Sequence, residues 1–110
     1  MKKFLGLVLL IGSFAAHAQS VVFSAPTTVS VTSTSALVFP PNGKRNYLIL
    51  SNTGSAAVII KFGSVQSANE GLTIPAGGNY EPNKAAANAI YAKTATGSST
   101  LVIVEGQNSP

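Results

Sequence analysis

The chain of 110 residues has no cysteine and no tryptophan, and its single histidine is His17. Aspartate is absent as well, so Glu70, Glu81 and Glu105 are its only carboxylate side chains. Without cysteine there is no disulfide, no lipid-acylation site and no thiolate, which removes Cys-based zinc sites and Cys-His catalysis. Without an imidazole beyond position 17, a Ser-His-Asp triad has no base. A glycosidase-type pair would need two of three dispersed glutamates at a defined separation. Glu105 ends a candidate strand and Glu70 and Glu81 adjoin turns, where a solvated surface position is the ordinary reading. The same scatter makes a poor calcium site, which wants clustered carboxylates. The sequence therefore predicts a protein with no catalytic residue, no metal and no cofactor.

Charge is scarce, at 9% of residues, and the formal net charge is +4. Part of that charge belongs to a leader. Met1-Lys2-Lys3 is a short basic start, Phe4 to Ala16 an apolar run, and Ala16-His17-Ala18 a small-x-small cleavage signal, the order of a secretory signal peptide. The apolar run is shorter than the roughly 20 residues of a membrane-spanning helix. Cleavage after Ala18 is expected, leaving residues 19–110 as one exported domain with no membrane span. That domain keeps Lys44, Arg45, Lys61, Lys84 and Lys93 against the three glutamates, five against three, for a net +2. So small and scattered an excess excludes the clustered phosphate contacts of a nucleic-acid binder.

What remains is rich in β-branched residues interrupted by turn formers, which predicts an all-β fold, a small antiparallel β-sandwich or jelly-roll-like domain of about seven short strands. The candidate strands are Thr27 to Thr32, Ala36 to Phe39, Arg45 to Asn52, Ala56 to Phe62, Gly71 to Pro75, Ala89 to Thr94 and Thr100 to Glu105. Pro40-Pro41 stops the second, and Pro75 marks the fifth as an edge. Asn52-Thr53-Gly54-Ser55 reads as the turn of a hairpin between the third and fourth strands, and Ala95 to Ser98 as a second hairpin turn. Period-two alternation sends Leu48, Leu50, Val58, Ile60 and Phe62 inward and Lys61 to water. Ser64 to Glu70 and Asn83 to Asn88 carry no regular pattern, the latter with at most one helical turn, and Gly106 to Pro110 reads as a frayed tail. Gly77-Gly78 is a turn rather than a phosphate loop, since no Gly-Lys-Ser/Thr follows.

Contact chemistry falls to the tyrosines. Tyr47, Tyr80 and Tyr91 are the candidates, because an amphipathic ring can stack on a sugar or anchor a protein partner, and Asn79 and Asn83 could add hydrogen bonds beside Tyr80. Tyr47 and Tyr91 lie within strands, where a half-buried ring with a wet hydroxyl is also normal.

Five segments recur in a fixed order: Arg45 to Gly54 (RNYLILSNTG), Val58 to Gly63 (VIIKFG), Gly71 to Glu81 (GLTIPAGGNYE), Ala89 to Lys93 (AIYAK) and Leu101 to Gly106 (LVIVEG). In this order the chain resembles a small β-sandwich module of phage and phage-like virion structural proteins. The resemblance covers about two thirds of residues 19–110 and implies a structural or attachment role with no catalytic residue. The leader departs from that pattern, and implies either a virus that assembles at or beyond the inner membrane or a cellular protein sharing the module.

The expected function is thus an exported, non-enzymatic structural or interaction protein, in the periplasm, outside the cell or in a virion, acting through protein partners or as a homo-oligomer. The alternative is a small secreted carbohydrate- or surface-binding module using Tyr80, Asn79 and Asn83. A hydrolase built on Glu70 and Glu81 is the third and least supported reading.

Overall fold

A computed structural model describes residues 21–108. The predicted leader and its cleavage site lie outside the described residues. Nine strands and no helix are found among those described. They are β1 (Val21–Phe23), β2 (Thr27–Val31), β3 (Ala36–Phe39), β4 (Arg45–Asn52), β5 (Val58–Phe62), β6 (Leu72–Ile74), β7 (Asn79–Tyr80), β8 (Ile90–Lys93) and β9 (Ser99–Asn108).

Two antiparallel sheets result. One runs β1–β9–β4–β7, with β2 on the same side of β9 as β1, and the other runs β3–β8–β5–β6. Taking β1 and β2 as one interrupted strand, each strand of the first half pairs with its mirror image in the second: β1/β2 with β9, β3 with β8, β4 with β7, β5 with β6. This is one long hairpin rolled up until β4 meets β9 and β5 meets β8, the eight-stranded jelly roll of two facing sheets. The edge place predicted for β6 matches this order, and β4 and β5 both lie inside their sheets.

The core forms between the inner faces. Val31, Leu48, Leu50, Leu101 and Ile103 from the first sheet meet Phe39, Val58, Ile60, Ile74, Ile90 and Ala92 from the second. The inward residues predicted by alternation are among them, with Phe62 half-buried at the margin.

Three expectations are corrected. Neither predicted hairpin exists: β4 pairs with β7 and β9 in one sheet, while β5 pairs with β6 and β8 in the other. Both strands carry apolar residues that must be covered, and placing them in opposite layers lets Leu48 and Leu50 face Val58 and Ile60 across the core. The turn Asn52–Ser55 therefore arches between sheets. It presses so closely on the start of β9 that a Cβ on Gly54 would lie 2.6 Å from the backbone nitrogen of Thr100. The tail is not frayed up to Asn108, because β9 continues and pairs with β1, a strand missing from the sequence reading. Gly106 permits this: its bare Cα is covered by Val21 and Phe23, and a Cβ there would sit 3.0 Å from the Phe23 ring. Asn83 to Asn88 carries no regular structure, as its sequence suggests. Glu105, expected at the solvated surface, is directly opposite buried Leu48 and so points into the end of the sandwich, its side chain 20% exposed.

Buried polar residues close both ends of β4. At its start, the fully buried side chain of Arg45 donates from Nε to Glu105 at 3.0 Å, from Nη1 to the carbonyls of Ala86 (2.7 Å) and Asn88 (3.0 Å), and from Nη2 to the carbonyl of Pro40 (2.7 Å). Its guanidinium also stands 5.4 Å from the centre of the Phe39 ring. Asn42 adds a donor to Glu105 at 3.2 Å. At the other end, Asn52 donates to the carbonyls of Ala56 (2.8 Å) and Ile74 (2.9 Å) and accepts from Gly54 N (3.1 Å) and Ser99 Oγ (2.7 Å). All four hydrogen-bonding positions of that amide are used.

Replacing Arg45 with methionine removes the donor shared by a carboxylate and three carbonyls, and a loss of about 3 kcal/mol is expected. For a domain of this size that lowers the melting temperature by roughly 12–24 °C. Asn52→Ala is expected to lose about 2 kcal/mol through the orphaned Ser99 hydroxyl and two carbonyls. Thermal unfolding followed by circular dichroism checks both; melting temperatures unchanged from wild type would contradict the role given to these residues.

Candidate functional site

The jelly roll distributes the predicted contact residues over several surfaces. Tyr47 is opposite Gly106 on the outer face of the β1–β9–β4–β7 sheet and is 41% exposed. Phe23, at the end of β1, meets it edge-on, ring centres 5.5 Å apart. Asn79 is on the same outer face, opposite Ser51, about 13 Å further along β4 at the usual strand rise. Tyr80 points the other way. It is opposite Leu50, packs on the core and has its ring 6.4 Å from that of Phe62. Tyr91 lies between Lys61 and Leu37 on the outer face of the second sheet. Asn83 is exposed in the connection after β7. The tyrosines thus sit apart, Tyr47 and Tyr91 on the outer faces of different sheets and Tyr80 turned to the core, and Asn79 and Tyr80, adjacent in sequence, diverge by the period of the strand.

The outer face of the first sheet has its own character. β4 and β9 place Ile49 opposite Val104 and Ser51 opposite Val102, and Tyr47 and Phe23 extend the row toward the Arg45 end. β2 adds Thr28 and Ser30 beside Val102 and Thr100. No strand residue on this face carries a charge. An open concavity of about 190 Å³ adjoins it, lined by Val22, Phe23, Ser24, Glu105, Gly106 and Gln107. That is below the roughly 300–1,000 Å³ of small-molecule pockets.

On the second sheet the loop from Ser64 to Gly71 folds over the outer face and buries Ile59. Gln66, itself buried, donates to the carbonyl of Ile59 at 2.7 Å and is joined to Ser35 by hydrogen bonds in both directions. Glu70 anchors the loop, accepting from Lys61 Nζ at 2.6 Å and from the backbone of Ser67 at 3.0 Å. First the lysine and then the Ser67 amide favour the charged carboxylate and hold its pKa down at about 2, against an ordinary 4.5.

The three carboxylates are therefore apart: Glu70 on this loop, Glu105 against Arg45, and Glu81 exposed after β7. Among the described residues no three His, Cys, Asp or Glu side chains gather as a metal site. Two features escaped the sequence reading: the ring pair of Phe23 and Tyr47, and the Arg45 network. The second had one visible trace, an arginine heading an apolar strand, and the first had none, since β1 is three residues long.

No family model and no curated protein matches the chain by sequence. Solved structures do match in shape. A protein of the Bacillus endospore appendages, which form a novel family of disulfide-linked pili, is 12% identical over 84% of this chain and 92% of its own, with a TM-score of 0.50. A cupin-2 domain containing protein from Shewanella frigidimarina is 14% identical over 89% of this chain and 92% of its own, with a TM-score of 0.49. A de novo designed double-stranded β-helix is 11% identical over 76% of this chain and all of its own, with a TM-score of 0.45. At such identities the likeness is one of fold. By its own topology the chain is a small jelly-roll β-sandwich.

Because Glu70 titrates low when folded, its contribution to holding the loop is fully present above pH 4.5 and is lost as the pH falls toward 2. Carbon-detected NMR titration of the Glu70 carboxyl should give a midpoint near 2 in the wild type and a higher one in Lys61→Met. An unmoved midpoint in the variant would show that Lys61 is not the cause.

Proposed function

We propose that this chain is an exported, non-enzymatic structural protein that works through protein–protein contacts, its own copies first among them. The observation that carries this reading is the uncharged outer face of the β1–β9–β4–β7 sheet, where Phe23 (50% exposed) and Tyr47 (41%) stand with Ile49, Val102 and Val104. Large aromatic rings left half in water on a face without charge suit contact with another protein. The jelly roll is a fold that a pilus protein also uses, which supports assembly as a use of this architecture. Having no cysteine, this chain cannot be linked by disulfides and would associate through surface contacts alone. The leader pattern of residues 1–18 supports export, and the resemblance to phage and phage-like virion modules supports a virion or cell surface as the place of assembly.

Sizing chromatography with light scattering on the purified protein tests the reading. The expected result is a mass that rises with concentration to a multiple of the monomer. A strict monomer up to about 1 mM, where even weak self-association registers, with no protein partner captured, would contradict it. Glycan binding that is lost in Tyr80→Ala would instead favour a carbohydrate-binding module.

A further inference from the structure

We propose that β2 is the edge through which two copies join, running antiparallel to β2 of the second copy so that the β1–β9–β4–β7 sheet continues from one molecule into the next. This rests on the assembly role proposed above and names its surface. An exposed strand edge offers unpaired N–H and C=O groups, and proteins that stay monomeric guard such edges with proline, charge, irregular register or brevity. The other edges here are guarded. β6 is three residues long and ends at Pro75, and β7 is two residues long and is followed by Glu81-Pro82. β3 slips register between Leu37 and Phe39 and then meets Pro40-Pro41. β1 has three residues and is cut off from β2 by Pro26.

β2 has none of these guards. Thr27-Thr28-Val29-Ser30-Val31 pairs with β9 residue by residue without a slip, contains no proline and no charge, and is exposed at Thr27, Thr28 and Ser30. Its opposite edge bonds to no other element among the described residues. In an antiparallel strand every second residue turns its N–H and C=O away from the strand already paired, so those groups of β2 face outward beyond β9.

The occupant follows from the sequence of β2 itself. An antiparallel pairing of two copies centred on Val29 sets Val29 against Val29, Thr28 against Ser30 and Thr27 against Val31. Inward residues then meet inward ones: Thr27, Val29 and Val31 are opposite Ile103, Leu101 and Ser99 on the core side, while Thr28 and Ser30 share the outer face with Val102 and Thr100. The outer pairs are hydroxyl with hydroxyl, a favourable cross-strand combination, and with no charge on the strand nothing repels across the two-fold axis. The same axis brings the two uncharged outer faces side by side into one continuous surface.

A charge swap reads this directly. Thr28→Lys/Ser30→Lys sets lysine opposite lysine twice across the proposed axis, and Thr28→Glu/Ser30→Glu does the same with glutamate. Each purified variant is expected to be monomeric at concentrations where the wild type associates, its dissociation constant raised at least about tenfold, and an equimolar mixture of the two is expected to recover a heterodimer, as opposite charges then face each other. Recovery requires both variants to be folded, so it controls for misfolding. Where a double variant lacks strand structure by circular dichroism, Thr28→Lys mixed with Ser30→Glu sets the same opposed pair with one change per chain. If the wild type associates and the lysine variant associates equally, or the mixture recovers nothing, the β2 edge is overturned while the assembly role stands. If the wild type is a monomer without any captured protein partner, both fail together.

Discussion

The burial of Arg45 at the start of β4 is the constraint on which the rest of the sandwich is organised. A guanidinium removed from water is costly unless its donors are used, and here they are taken by Glu105 of β9 and by carbonyls of Pro40, Ala86 and Asn88. Those three carbonyls belong to connections that lie outside any ladder and would themselves be short of partners. The arginine and the loops therefore need each other. Asn52 repeats the arrangement at the far end of β4, tying the lead-in to β5, the end of β6 and the start of β9 to one amide. Between these two polar ends β4 turns only Leu48 and Leu50 inward, so a strand eight residues long is apolar where the sheets meet and polar where they close.

This arrangement explains how a chain without disulfides holds its loops. Each hub joins both sheets: Arg45 and Glu105 belong to one and reach the loops that feed β8 of the other, and Asn52 reaches Ile74 of β6. A third polar contact, Gln66 on the carbonyl of Ile59, seals the loop that covers the outer face of the second sheet, with the Lys61–Glu70 ion pair beside it in water. The exposed pair adds little by itself, whereas Gln66 shields Ile59, which the strand leaves on the wrong side of the core.

The strands were legible in the sequence because β-branched runs and proline stops are local signals. β3 and β4 begin and end where the residues say they should, and Leu48, Leu50, Val58 and Ile60 face inward as their spacing requires. Pairing was not legible. Asn52-Thr53-Gly54-Ser55 has the composition of a hairpin turn, and only the need to cover two apolar strands from opposite layers makes it an arch. The burial of Arg45 was hidden for a related reason, since its acceptors come from positions 5, 41, 43 and 60 residues away along the chain. Of the tyrosines, Tyr80 reads as a loop residue in sequence, yet its place opposite Leu50 turns it toward the core; the more exposed aromatic pair includes Phe23, from a strand too short to announce itself.

The proposed assembly role depends on what this fold leaves open. Three hubs of buried polar groups close the ends and the loop, prolines and short strands blunt most edges, and the unguarded feature is β2 beside an uncharged face. Hydrogen exchange at each amide, compared between dilute and concentrated protein, addresses this most directly. Slowing within Thr27–Val31 on concentration, with the edges at β3 and β6 unchanged, is the predicted result. Slowing confined to another edge, or none at all, would contradict it.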